Sequence, residues 1–99
     1  MSEVSVLAKR LREARLQAGL SQRQLGIQAG IDEFSASARV NQYERGKHMP
    51  DLQTLTRLAD VLKKPVPYFY CDDPDLAELI AKFASLSRSH RRKVMRLLD

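Results

Sequence analysis

The sequence predicts an all-α protein, on three observations. Its 99 residues suit one domain with a single core. Apolar residues recur every three or four positions in one segment after another, which is the spacing of a buried helix face. Capping residues and glycines interrupt these segments at short intervals. We therefore expect five short helices, followed by one or two further helices at the C-terminus.

The first two helices are predicted from an apolar stripe and a capping box. The stripe over residues 5–18 consists of Leu7, Leu11, Ala14 and Ala18. Ser21 and Gln24 have the spacing of a capping box, so a second helix is expected over 22–29. Gly26 lies in its middle, where glycine costs about 1 kcal/mol relative to alanine; such a glycine often marks a close approach of two helices, and the alternative is that the helix simply tolerates it.

A third helix, predicted over 34–45, has two distinct faces. Its core face consists of Ala36, Val40 and Tyr43. The other face carries short polar and basic side chains and no acid: Ser35, Ala38, Arg39, Gln42 and Arg45, with Ser37 and Asn41 beside them. We expect Phe34 to pack as an anchor where this helix begins.

The fourth helix is predicted over 52–62, with Asp51 as its N-cap. Its core stripe consists of Leu52, Leu55, Leu58, Ala59 and Leu62. A single turn over 66–70 follows. This turn should close the core with Phe69 and one or both of the neighbouring tyrosines.

Two more helices are predicted at the C-terminus, over 75–84 and 88–98, because this segment is too apolar for a solvated tail. The candidates for a dimerisation surface are Phe83, Leu86, Val94, Leu97 and Leu98. The same side chains have a second possible role, packing on their own domain, and both roles are compatible. The basic residues of the last helix are expected on a solvated face or against an anion.

Four motifs in combination closely resemble the lambda-repressor/Cro-like helix-turn-helix family of DNA-binding proteins, which includes the XRE-type transcriptional regulators. They are LSQRQL at 20–25, AGI at 29–31, VNQYERGK at 40–47, and PDL at 50–52 with the leucine stripe that follows. The resemblance covers about residues 7–70. It implies a five-helix DNA-binding domain over 1–71 and a C-terminal helical extension over 72–99.

The resemblance also implies which residues contact DNA. The candidates for base contacts are Gln42, Ser37, Arg39, Ala38, Asn41 and Ser35. The candidates for phosphate contacts are Ser21, Gln22, Arg45 and Lys47. Glutamine suits the two hydrogen bonds that an adenine edge offers, and Arg39 suits either a guanine or a phosphate.

Two further features follow from the family pattern. Arg15 and Glu44 match positions that form an ion pair orienting the third helix, which is a structural role and not a DNA contact. Val40 lies nine positions after Ile31, four more than the pattern has. The four additional residues around 32–37 lengthen the turn, extend the helix by about 6 Å, or do both; we expect a mixture.

The implied function is that of a sequence-specific transcriptional regulator, a repressor or autoregulator. It would bind a palindromic operator as a homodimer, with the third helix in the major groove of double-stranded DNA. The formal charge of +5 gives weak support for a polyanionic partner. Two alternatives stay open: an antitoxin or restriction-system controller of the same fold, the former with a toxin partner, and an interaction adaptor that has lost DNA binding.

Composition excludes several other classes of protein. Two histidines and one cysteine show no catalytic or metal-ligand spacing, so we expect no enzyme, cofactor or metal site. No apolar run is long enough for a membrane span. Residues 1–4 begin no signal peptide. With a single cysteine, the chain suits the cytoplasm.

Overall fold

A computed structural model describes residues 5–99, and residues 1–4, on which the signal-peptide expectation partly depends, lie outside that range. Six α-helices and one 3₁₀ turn account for the regular structure of 5–99, in which no strand occurs. The helices are α1 (Val6–Gln17), α2 (Gln22–Gln28), α3 (Ala36–Glu44), α4 (Leu52–Leu62), α5 (Pro74–Ser85) and α6 (Arg88–Leu98), with the 3₁₀ turn at Val66–Tyr70 between α4 and α5. The prediction of an all-α fold is confirmed.

Side-chain caps begin most of the helices. The capping box at α2 is complete, because Gln24 N–H donates to Ser21 Oγ at 3.0 Å and Ser21 N–H donates to Gln24 Oε1 at 2.8 Å. At α4, Asp51 accepts the backbone N–H of Thr54 at 2.8 Å. This hydrogen bond holds the pKa of Asp51 below its usual value of 3.8. The caps thus fix where these helices begin.

The four helices α1, α2, α3 and α4 and the 3₁₀ turn share one hydrophobic core. Its largest fully buried side chains are Phe69, Leu11, Leu25, Leu55, Leu58 and Val40. Tyr68 is buried edge-on against Phe69, whereas Tyr70 is exposed, so one of the two tyrosines closes the core. Ala18 and Leu52, predicted in the core stripes, are exposed at the ends of their helices.

The contact between α2 and α3 depends on Gly26. A Cβ atom on Gly26 would lie 2.7 Å from the Cβ of Ala36 and 3.0 Å from its carbonyl oxygen. Two carbons at that distance overlap strongly, so only glycine allows the two backbones to approach this closely. The predicted role of Gly26 as a close-approach residue therefore explains its place in mid-helix.

The third helix begins later than predicted. Residues 33–35 form a turn, and α3 starts at Ala36, so the additional residues lengthen the turn and do not extend the helix. Asp32 stabilises this turn, since its carboxylate accepts Phe34 N–H and its carbonyl accepts Ser35 N–H, each at 3.0 Å. The expectation that Phe34 packs as an anchor is wrong, because its side chain is 92% exposed.

The junction near residue 71 is tied to α1 by Arg10. Its guanidinium is buried and donates to the carbonyl oxygens of Cys71 and Asp72, each at 2.9 Å. Ala77 of α5 is also buried in the core. Helix α5 therefore packs on the preceding helices, and a domain boundary at residue 71 remains a prediction.

Helix α6 extends away from the core. None of its residues is buried. The radius of gyration is 14.7 Å, against ~13 Å for a compact domain of this length. Arg91 ties α6 to the end of α5, donating to the carbonyl oxygens of Phe83 at 3.1 Å and Ala84 at 2.7 Å. Within residues 5–99, no helix has the length and apolarity to cross a bilayer.

Candidate nucleic-acid interface

Helix α3 divides into a buried face and an exposed face. Ala36, Val40 and Tyr43 lie in the core as predicted from their spacing. The exposed face carries Ser37, Ala38, Arg39 and Gln42, with Ser35 and Asn41 partly exposed beside them. All six candidates for base contacts therefore lie on or beside one accessible surface. This surface carries no acidic residue, because Glu44 at the end of α3 is buried.

A buried ion pair fixes α3 against α1. Arg15 Nε donates to Glu44 Oε2 at 2.6 Å, and Arg15 Nη2 donates to Glu44 Oε1 at 3.0 Å. The remaining Arg15 nitrogen donates to the carbonyl oxygen of Leu20 at 2.9 Å, in the loop between α1 and α2. The two ionic side chains are 11% and 3% exposed. One guanidinium thus connects α1, the following loop and α3 through well-shaped bidentate geometry.

Gln22 extends this network to the start of α2. Its amide nitrogen donates to Asn41 Oδ1 and to Glu44 Oε1, each at 3.2 Å. Both amide hydrogens are therefore occupied within the protein. These two hydrogen bonds hold the Asn41 side chain against α2. Both use the amide nitrogen of Gln22, and its side-chain oxygen takes no part in this network.

Arg39 is held along the helix that carries it. Its Nη2 donates to the hydroxyl of Tyr43 at 2.9 Å, and its guanidinium carbon lies 6.0 Å from the centre of that ring. Tyr43 is itself buried, so it gives the arginine a fixed support. Gln42, in contrast, is exposed and makes no side-chain hydrogen bond within residues 5–99.

The candidates for phosphate contacts lie at two places flanking α3. Arg45 and Lys47 are exposed in the turn that follows the helix, which Gly46 closes with a φ of 73°. Lys47 N–H donates to the carbonyl oxygen of Gln42 at 3.0 Å, which fixes the turn. Ser21 is exposed at the start of α2, beside Gln22. Arg45 and Lys47 thus follow the exposed surface of α3, and Ser21 lies beside Gln22, which contacts the end of that helix.

The five dimerisation candidates do not share one surface. Phe83, Val94 and Leu98 line an apolar groove of about 540 Å³ between α5 and α6. Leu86 is partly buried in the link between the two helices, and Leu97 is 84% exposed. The groove is also lined by Leu79, Ile80 and Met95, which were not among the predicted dimerisation candidates.

Sequence reasoning missed the role of Arg10. A charged side chain beside Leu7 and Leu11 is ordinarily expected to stay in solvent, yet Arg10 is buried. Its burial depends on carbonyl groups about sixty positions away, which local spacing does not reveal.

Comparisons with known proteins agree with this geometry. The family model for a helix-turn-helix domain matches residues 6–66, more than half of the chain. The crystal structure of the transcriptional regulator BswR is similar, with 49% sequence identity, a TM-score of 0.85, and coverage of 92% of this chain and 90% of that one. No curated protein matches. The chain therefore belongs to the lambda-repressor/Cro-like helix-turn-helix family of DNA-binding proteins.

Proposed function

We propose that the protein is a transcriptional regulator, not an enzyme, and that it recognises a specific DNA sequence through α3 in the major groove. The observation that carries the proposal is the division of α3 into a face locked in the core and a face of short polar and basic side chains. A recognition helix needs both, because it must present hydrogen-bonding groups to base edges from a fixed orientation. The similarity to BswR supports a regulatory role.

The proposed base contacts differ in chemistry. Gln42 offers a free amide for an adenine edge, and Arg39, held by Tyr43, offers its remaining donors to a guanine. Ser37 and Ala38 lie on the first turn of α3, the part of a recognition helix that comes closest to base edges. Ser35 and Asn41 lie beside this surface and complete the proposed set.

The proposed phosphate contacts position the helix and carry no sequence information. Arg45 and Lys47 would hold the strand beyond the end of α3, and Ser21 would hold the strand beside α2. Because the amide nitrogen of Gln22 is occupied by Asn41 and Glu44, we assign Gln22 a positioning role in addition to any phosphate contact.

Binding-site selection with the purified protein, followed by titration on the selected duplex, tests this proposal. Gln42→Ala should relax the preference at one base position, whereas Lys47→Ala should weaken all sequences about equally. With 6–10 phosphate contacts, affinity should fall by ~10³–10⁵ between 50 and 200 mM salt. Selection of no sequence, with no specific shift in a binding gel, would instead support an adaptor without DNA binding.

We further propose that the regulator is a homodimer joined through α5 and α6, and that it represses from a palindromic operator. Helix α6 carries five basic residues and no acid, and residues 72–78 carry four acids. None of the five forms an ion pair within residues 5–99. The α6 of a second copy therefore complements both the charge of this region and the apolar groove beside it. Two half-sites ~34 Å apart would then face two α3 helices.

Sedimentation at several concentrations tests the dimer separately from DNA binding. Leu98→Glu places a charge in the groove and should shift the protein to monomer, whereas Leu16→Glu, at an exposed position of α1, should not. A monomeric wild-type protein that still selects a sequence would refute the dimer and leave the reading of DNA intact. A reporter promoter that carries the selected site tests repression.

A further inference from the structure

Phe34 is presented to solvent by the turn that leads into α3. Its 92% exposure is the highest among the large apolar side chains of residues 5–99. The turn is well supported: Asp32 accepts the backbone N–H groups of both Phe34 and Ser35, and Arg23 of α2 lies 3.4 Å from Glu33. The backbone at Phe34 is therefore held at a defined position two residues before α3 begins.

That position places Phe34 in the chain immediately before the helix whose exposed face is proposed to meet DNA. Phe34 lies two residues before the first residue of α3, so its Cα is within ~7.6 Å of the start of that helix. A recognition helix enters the major groove with its N-terminal residues against the bases. The turn that precedes α3 is carried toward the groove together with Ser37 and Ala38.

The chemistry of the turn favours contact with a base over contact with a phosphate. Asp32 and Glu33 precede the ring and would repel the DNA backbone, and no lysine or arginine occurs between residues 32 and 38. An aromatic ring instead offers apolar surface. In the major groove, the apolar group that a base pair presents is the C5-methyl group of thymine.

We propose that Phe34 contacts the methyl group of a thymine at the edge of each half-site and thereby determines part of the operator sequence. This inference rests on the proposed function, since it requires α3 in the major groove. It adds a specificity determinant that lies outside α3, in the four residues by which the turn exceeds the family pattern.

Replacing thymine with deoxyuridine tests the contact, because it removes the methyl group and leaves the base pair unchanged. After site selection with the wild-type protein, each thymine of the selected duplex is replaced in turn. Replacement of that thymine in one half-site should weaken wild-type binding about fourfold, the effect of one buried methyl group, and replacement in both half-sites should weaken it about 16-fold. Phe34→Ala should bind the thymine duplex more weakly and show no difference between thymine and uracil.

Two controls keep the result interpretable. Phe34→Leu retains apolar surface and should keep part of the methyl dependence, and Leu16→Ala removes exposed apolar surface from α1 and should keep all of it. Phe34→Ala should melt at the wild-type temperature, since the ring makes no core contact. If Phe34→Ala keeps the wild-type ratio between thymine and uracil at every position, this inference is wrong while the regulator remains. If the wild-type protein selects no sequence, the proposed function fails, and the contact fails with it.

Discussion

Replacing Arg15 by alanine should destabilise the fold strongly. The change removes three hydrogen bonds and leaves the Glu44 carboxylate, 3% exposed, with the amide of Gln22 as its remaining partner. Breaking a buried ion pair in this way costs about 3–5 kcal/mol. The total free energy of unfolding of a chain of this size is about 5–15 kcal/mol, so the loss is a large fraction of its stability.

Urea unfolding followed by circular dichroism measures the lost free energy, and thermal unfolding followed by the same signal measures the melting temperature. The melting temperature should fall by more than about 10 °C, since 1 kcal/mol corresponds to about 4–8 °C for a domain this small. Arg23→Ala is the matched control: it removes an ion pair whose side chains are 59% and 57% exposed, and it should cost less than about 1 kcal/mol. The double change Arg15→Met with Glu44→Leu should recover much of the loss, because no charge is then left buried. Equal stability of Arg15→Ala and Arg23→Ala would refute the claim that the buried pair holds α3.

Three further changes test other parts of the fold. Gly26→Ala should lower the free energy of unfolding by about 1–3 kcal/mol despite alanine's better helix propensity, because the new methyl group overlaps Ala36; a more stable variant in urea would contradict the close contact. Lys63→Gly should raise that free energy by about 0.5–1 kcal/mol, since Lys63 ends α4 with a left-handed φ of 57° that glycine adopts without strain; an unchanged midpoint in urea would count against it. Because the pKa of Asp51 is lowered in the fold, the charged carboxylate stabilises the folded state at a pH above the usual pKa of aspartate. The difference in melting temperature between the wild type and Asp51→Asn should therefore shrink as the pH falls below about 4. A difference that does not change with pH would contradict the role of this charge.

Local signals in the sequence were enough to predict most of the helices. Helix α4 begins and ends where predicted, because Asp51 caps its first turn and a dense leucine stripe defines its inner face. The capping box of Ser21 and Gln24 placed α2 in the same way. These features depend on residues three or four positions apart, which is the range that sequence periodicity covers.

The predicted start of α3 at residue 34 is two residues too early, and the expected anchor Phe34 is exposed. Counted at helical spacing, Phe34 falls with Ala38 and Asn41 on the polar side, so the pattern itself argued against burial. The turn is set instead by backbone hydrogen bonds to Asp32, which compete with helix formation. Nor does local spacing show that Gln22 is engaged by the end of α3, since that contact spans about twenty positions.

The direct contact of α2 with α3 at Gly26 fixes the two helices independently of the turn that connects them. The backbones of the two helices are in close contact at Ala36, the first residue of α3, and the buried pair of Arg15 and Glu44 secures the last residue of that helix. The turn at 32–35 therefore does not set their relative orientation. Changing the length of a loop by a factor of two alters its closure free energy by only about 0.6 kcal/mol. We therefore expect these four positions to tolerate substitution, so that combinatorial libraries of the turn can test its effect on sequence preference without rebuilding the core.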